Sequence, residues 1–419
     1  MGSGERRSEA AGPLVGLLLL AYVFNFLDRQ LLAILKIPIK AELHLTDTQL
    51  GLMGGIAFAS VYSTLAIPLA RIADRSGRVR VVAASVAVWS LFTAFSGMGQ
   101  NFVQLFMLRM GVGVGEAGGV APSYALIADS VGPSRRARAL SIYSLGIPLG
   151  SALGLFFGSW LSASISWRVA FVIIGGSGLP VAWLIRRYVP EPARRLSQPD
   201  GARLIEVARQ LATLPSFWLL SLGAASASVC GYGLGYWLPS YFVADLGLSL
   251  TRMGLYFGSI ILIGGVAGIW LGGVVADRLR KRNGAADVLV PAFAFFITAP
   301  LYAGAISSRS AAIAWPLFAV PYMLSLAWLG PIISAVQRLV PATERATASA
   351  CFLLINNLIG IGFGTFIFGF LSDRMKVTYG ASSLHYAILY GLVFYLIAGV
   401  LCLAATQHLK RDSVNDGVE

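Results

Sequence analysis

Charge is scarce in this chain. Charged residues make up 12% of its 419, apolar residues 57%, and the mean hydropathy is +0.74. A soluble domain carries about a quarter charged residues, and a chain this apolar would expose more hydrophobic surface than water tolerates. That excludes a soluble globular protein and leaves a bilayer as the fitting solvent. Cysteine is nearly absent. Cys230, Cys351 and Cys402 all lie in apolar stretches with no paired spacing, which excludes a disulfide framework and a cysteine metal site, so no metal is expected. A G-x-x-x-x-G-K-[ST] loop is missing too, and no polar stretch is long enough to hold a nucleotide-binding domain. We therefore expect neither an enzyme nor an ATP-driven pump. No cofactor is expected, and a proton gradient is the energy source that fits.

The charge that is present has a direction. The net value of +13 suggests nucleic acid only until the positions are read. By side of the apolar segments, about 23 Lys and Arg fall on one face and about 7 on the other, with Arg29 and Arg109 inside segments. This is the positive-inside pattern. It predicts a multi-pass membrane protein with both termini in the cytoplasm and excludes nucleic acid as a partner, while the excess of Arg over Lys, with abundant Ala and Gly, points to a bacterial source and hence to an inner membrane. The partners expected are the lipid bilayer and a small amphiphilic substrate, with the protein acting as a monomer. The first apolar run, from Pro13, is too long for a signal-peptide h-region.

About 20 apolar residues cross the hydrocarbon core as a helix. Twelve windows qualify: 14–37, 49–70, 80–99, 102–128, 139–160, 168–189, 214–243, 250–276, 288–306, 311–337, 347–370 and 385–407. The fold class predicted is an all-α membrane protein of twelve transmembrane helices in two six-helix bundles. Residues 1–189 form the first bundle, 190–213 a cytoplasmic linker and 214–419 the second. Within the linker, Leu204, Ile205, Ala208 and Leu211 recur at helical spacing, so 201–213 reads as an amphipathic helix on the inner membrane surface. The halves repeat. Asp74–Arg75 returns as Asp277–Arg278 at an offset of 203, and Arg136–Ala137–Arg138–Ala139 returns as Arg345–Ala346–Thr347–Ala348 at 209. Parallel repeats with a mid-membrane binding site are a common construction for secondary transporters.

Four ionisable residues sit deep in apolar helices: Asp28, Arg29, Arg109 and Glu116. Each costs about 2.5–3.5 kcal/mol on insertion scales when unpaired. Arg109 and Glu116 share a helix face two turns apart, and Asp28 and Arg109 lie at similar depth, roughly 10–14 Å from the same membrane surface. Asp28 and Arg109 can pair if their helices are neighbours. Asp28 and Glu116 are the candidate proton-coupling acids, with Arg29 and Arg109 as head-group or ion-pair residues. Gly113–Val114–Gly115–Glu116–Ala117–Gly118 matches G-x-G-x-x-G literally, but no strand precedes it and Glu116 would repel a pyrophosphate, so these glycines read as helix-packing sites. The second half carries almost no buried charge. It holds Tyr232, Tyr236, Trp237 and Tyr322, with Asn356 and Asn357 as polar groups, and these are the candidate contacts for an apolar tail.

The stretch Asp74–Arg75–Ser76–Gly77–Arg78–Val79–Arg80 resembles the signature loop of the major facilitator superfamily, G-x-x-x-D-R-x-G-R-[RK], with Ala70 in place of its first Gly and Val79 interrupting the basic pair. Asp74, Arg75, Arg78, Asp129, Asp277 and Arg278 are the candidate cytoplasmic gate. Asp129 ends the fourth span and can serve Arg75 or Arg78 as a second acid. Asn25–Phe26–Leu27–Asp28–Arg29 is similar to the N-[YF]-x-D-R stretch of the spinster lipid transporters, and Arg109 to Ala117 to their R-x-x-x-G-x-G-E-A. Trp167–Arg168 and Pro190–Glu191–Pro192 fit the wider superfamily. The resemblance implies a transporter with Asp28, Arg29, Arg109 and Glu116 as coupling and head-group residues. It also implies a cargo with an anionic head and an apolar tail, such as sphingosine 1-phosphate or a lysophospholipid. Two readings compete with it: a proton-coupled transporter of small organic anions such as sugar acids, and a non-transporting receptor or scaffold.

Overall fold

The computed structural model describes residues 2–191, 201–280, 282–308, 311–341 and 344–413. Among these the chain is helical throughout, with no strand. In chain order the helices are α1 (Gly2–Leu43), α2 (Asp47–Gly54), α3 (Ile56–Ser76), α4 (Arg78–Ser96), α5 (Phe102–Ala117), α6 (Val120–Ser130), α7 (Pro133–Ser144), α8 (Gly146–Ser164) and α9 (Trp167–Tyr188). They continue with α10 (Gly201–Ala212), α11 (Pro215–Ala244), α12 (Leu250–Arg280), α13 (Ala286–Ser307), α14 (Ala311–Ser325), α15 (Leu329–Gln337), α16 (Arg345–Tyr379), α17 (Ser383–Gly391) and α18 (Val393–Asp412).

Ten segments of the described residues are long and apolar enough to cross a membrane. The twelve expected crossings are reconciled with that number at two places. The fourth is cut at Gly118–Gly119 into α5 and α6, too short to qualify alone. The eleventh and twelfth are counted as one segment, Thr347–Leu409, although the chain turns at Gly380, where φ is +53°, and α17 packs back on α16. Other spans are also pieced together from two helices. α2 breaks from α3 at Gly55, α7 from α8 at Leu145 and α17 from α18 at Leu392. α1 differs in length: it runs two turns past the expected end and stops at His44, whose φ is +51°.

The chain forms two compact units, Met1–Arg195 with Gly247–Leu262, and Leu196–Leu246 with Ile263–Glu419. In the first, α1 lies along α8. A Cβ on Gly150 would sit 2.2 Å from the carbonyl oxygen of Val23, and one on Gly154 2.5 Å from that of Leu27. Only glycine lets the two backbones approach that closely, and the contact fixes the stretch of α1 that carries Asp28 and Arg29. α4 packs on α5 and α9, and α3 on α5. The second unit pairs α11 with α16 and α18, and α13 with α18. Its helix α10 matches the expected linker helix but buries a different face. Val207 and Leu211 are inside against α16 and α11, whereas Ile205 is 69% exposed. Residues 192–200 of the linker lie outside the described residues.

Candidate functional site

Asp28, Arg29, Arg109 and Glu116 meet in crosswise pairs. Arg29 Nε donates to Glu116 Oε2 at 2.7 Å, and Arg109 Nη1 stands 3.7 Å from Asp28 Oδ1. Asp28, Arg109 and Glu116 are 3, 3 and 0% exposed. The arrangement follows from the local sequence. Asp28 and Arg29 are adjacent on α1 and so point about 100° apart, one towards α4 and α5, the other towards α3. Glu116 enters the interior because α5 is stripped to glycine around it. A Cβ on Gly115 would meet the backbone nitrogen of Trp89 at 2.4 Å, and one on Gly113 the carbonyl of Phe58 at 2.9 Å.

Each member has further partners. The Arg29 guanidinium lies over the rings of Phe26, Phe58 and Tyr62, with centroid distances of 5.0, 4.8 and 5.1 Å. A desolvated guanidinium held on aromatic faces gains on the order of 2 kcal/mol. Thr93 Oγ1 on α4 donates to Asp28 Oδ2 at 2.5 Å. Asp28 Oδ1, Arg109 Nε and Nη1, Glu116 Oε1 and both polar atoms of Asn25 are buried without hydrogen-bond partners among the described residues. Breaking one of these pairs while the survivor stays charged would cost about 3–5 kcal/mol. Protonating an acid of the cluster instead releases its arginine without leaving a buried charge on the acid side.

Sequence reasoning missed Lys36. It is 1% exposed, and its Nζ donates to the carbonyl of Ala33 at 2.5 Å. It lies seven residues beyond Arg29 on the same face of α1. Lys40, one turn further, forms an ion pair with the buried Asp47 at the start of α2. The signal was available: Arg29, Lys36 and Lys40 share one helical stripe.

At the end of the unit that carries the signature loop, Arg78 binds both Asp74, at 2.8 Å, and Asp129. Arg75 is exposed, so the second acid serves Arg78. A partner not foreseen in this role is Glu191. It accepts from the backbone N–H groups of Arg78, at 2.7 Å, and Val79, at 3.0 Å, and so caps α4 from 113 residues away. Gly77, with φ +116°, makes the turn that exposes those amides; a Cβ there would come 3.1 Å from Glu191 Oε2.

The second unit carries the related loop with the charges redistributed. Asp277 pairs with Arg280 at 3.4 Å, while Arg278 is exposed. The buried Asp287, which sequence reasoning did not single out, takes Arg338 at 3.0 Å and Arg280 at 3.7 Å. Arg338 stands 209 residues after Asp129, the offset of the second echo, so the repeat holds a base where the first half holds an acid. Of the proposed tail residues, Trp237 and Tyr236 are buried. The Trp237 indole donates to the carbonyl of Thr365 at 2.8 Å and ties α11 to α16. Tyr232 is exposed and Tyr322 half-buried. Asn356 accepts from Ser228 at 2.8 Å and sits beside Asn357 at 3.4 Å.

The comparisons with known proteins agree with this architecture. The Major Facilitator Superfamily profile matches residues 18–365. Protein spinster homolog 1 of Homo sapiens is 30% identical over 419 residues, which cover 94% of this chain and 79% of that protein. The chain belongs to the major facilitator superfamily and, within it, to the spinster family. An MFS-type efflux pump of Mycolicibacterium smegmatis is 33% identical over 420 residues, covering 99% of this chain and 96% of the pump. A crystal structure of a bacterial homolog of the human lysosomal transporter spinster, in an inward-facing and unoccupied conformation, matches with a TM-score of 0.88. It is 28% identical and covers 97% of this chain and 99% of the other. This spinster-family member is thus a multi-pass membrane transporter and not an enzyme.

Proposed function

We propose that the protein is a proton-coupled secondary transporter that moves an amphiphilic, anionic lipid or lysolipid, similar to sphingosine 1-phosphate, by alternating access. The crosswise pairing of Asp28 with Arg109 and of Glu116 with Arg29 carries the proposal. An anionic head can bind an arginine only in competition with that arginine's acid, and an acid that loses its arginine in a low-dielectric site takes up a proton. Head-group occupancy and proton occupancy are therefore linked through the same two arginines. Asp28 and Glu116 are the coupling acids, and Arg29 and Arg109 hold the head. In the second unit, exposed Tyr232, with Tyr236, Tyr322, Asn356 and Asn357, serves the tail. Trp237 supports that wall from behind through Thr365.

The Asp74–Arg78–Asp129 cluster, with Arg75 beside it, and the Asp277–Arg278–Arg280–Asp287–Arg338 cluster act as the gate on the cytoplasmic side of the inner membrane, where both termini lie. No cofactor is required beyond the proton gradient, and the working unit is the monomer.

The test is flux of sphingosine 1-phosphate in proteoliposomes with and without an imposed pH gradient. Acceleration by the gradient, lost in Glu116→Gln, is the expected result. Gradient-independent flux would overturn the coupling. Equal transport of a sugar acid without any tail would shift the substrate class to small organic anions.

A further inference from the structure

Asp28 has a second neighbourhood, distinct from the one that holds Arg29. A cavity of about 10 Å³ lies beside it, lined by Phe24 and Asp28 of α1, Trp89, Ser90 and Thr93 of α4, and Ile174 and Gly175 of α9. That volume is about what one water molecule needs, and a buried water persists where it finds two to four polar partners. Here Ser90, Thr93 and Asp28, all with polar side chains, line the same space. Oxygen Oδ1 of Asp28 is fully buried and has no hydrogen-bond partner among the described residues, although Oδ2 accepts from Thr93. Arg109 Nη1, at 3.7 Å, is too far from Oδ1 to bond it directly.

The side of approach matters. Phe24 and Asp28 are one helical turn apart and present one face of α1 to α4 and α9. Arg29, with Phe26, Phe58 and Tyr62 around it, occupies another. The charges acting on Asp28 are Arg109, Glu116 and Arg29. The facing stretches of α4 (81–96), α8 and α9 (169–185) carry no aspartate, glutamate, histidine, lysine or arginine. A proton arriving from the α4–α9 side therefore meets Asp28 as its first titratable group.

We propose that this cavity is a single-water site that delivers the coupling proton to Asp28 from the α4–α9 side, apart from the face where Arg29 receives the anionic head. The water held by Ser90 and Thr93 is protonated from solvent and passes the proton to Oδ1. The site returns to a neutral water and Asp28 becomes a neutral carboxylic acid; release runs the same transfer backwards. This rests on the proton-coupled reading above, but it is tested without cargo.

Purified, membrane-reconstituted protein is taken through a pH jump and followed by time-resolved infrared spectroscopy at the carboxylic-acid band that Asp28→Asn removes. Ser90→Thr places a methyl group in the cavity and keeps a hydroxyl. The band should then rise about tenfold more slowly, on the scale of losing one bridging hydrogen bond. Ser90→Ala leaves the room but removes one of the water's partners, so its rate should fall, and by less than that of Ser90→Thr. An unchanged rate in Ser90→Thr overturns the proposal, as does an equal slowing in both variants. If Ser90→Thr does not fold, a wild-type map that resolves ordered waters decides. Density within hydrogen-bonding distance of Asp28 and Thr93 supports the site, and a dry cavity overturns it. Lipid transport without gradient dependence would sink the coupling reading alone, because the infrared transfer does not require cargo.

Discussion

Arg29 answers to two demands that can be separated experimentally. Its charge neutralises Glu116, and its plane stacks on three aromatic rings. Lysine would keep the first and lose most of the second, because an ammonium lacks the planar fork that lies on ring faces. Arg29→Ala should lower stability by about 3–5 kcal/mol at pH values where Glu116 stays ionised, and by less when the acid is protonated. Thermal melting as a function of pH checks this; a pH-independent loss would count against a buried acid left alone. Glu116→Gln keeps the shape and removes the titration. Its melting temperature should fall by less than that of Arg29→Ala, because the arginine left behind is partly exposed and keeps its three rings, while gradient-driven flux falls to the leak level. Full flux in that variant would end the relay idea. The four charges were legible in the sequence because each is expensive in an apolar helix. Which acid meets which base was legible only for Asp28 and Arg109, whose depths match. Lys36 was hidden because it closes the apolar window, where a lysine ordinarily reaches the interface. α1 instead runs on to Leu43 and keeps it inside.

At the scale of elements, α4 shows what composition conceals. Its first turn is basic, Arg78–Val79–Arg80, which opposes the helix dipole, yet the helix begins there. Glu191 supplies the missing acceptor to two amides, and Arg78 turns its side chain to Asp74 and Asp129. Glu191→Gln should therefore raise hydrogen exchange at the amides of Arg78 and Val79 by about tenfold, the scale of losing one charged cap. Asp74→Asn, which touches only the side chain of Arg78, should leave those two amides protected. Equal exchange in both variants would show that the cap is immaterial. No spacing rule joins Glu191 to Arg78, since the residues between them form six helices. The helices themselves were legible from 20-residue apolar windows, but their breaks were not. Gly55 and Gly118–Gly119 look like any other small residues in a membrane span. What separates a packing glycine from a break is the neighbouring backbone, as at Gly115 against Trp89.

At the scale of the whole molecule, charge is divided unequally between the two repeats. The first unit buries Asp28, Lys36, Asp47, Arg109 and Glu116. The second, among the described residues, buries Asp287 at the loop end and leaves its middle to tyrosine, tryptophan and asparagine. The two repeats thus differ in where they bury charge, and Arg338 stands at the loop position that corresponds to Asp129 of the first. The cargo proposed above has one charged end and one hydrocarbon end. For such a cargo each added methylene contributes about 0.8 kcal/mol, so affinity should rise roughly fourfold per carbon until the apolar surface is filled. Arg109→Ala should weaken every member of an acyl-chain series by a similar factor, because the head is common to all, and leave the slope with chain length intact. Tyr232→Ala should flatten the slope and leave the head-group contribution unchanged. Isothermal titration of lysophosphatidylglycerols of increasing chain length into the detergent-solubilised protein measures both quantities. Flat affinities across the series, together with tight binding of a tail-less sugar acid, would mean that the aromatic half serves packing alone and that the cargo is a small anion.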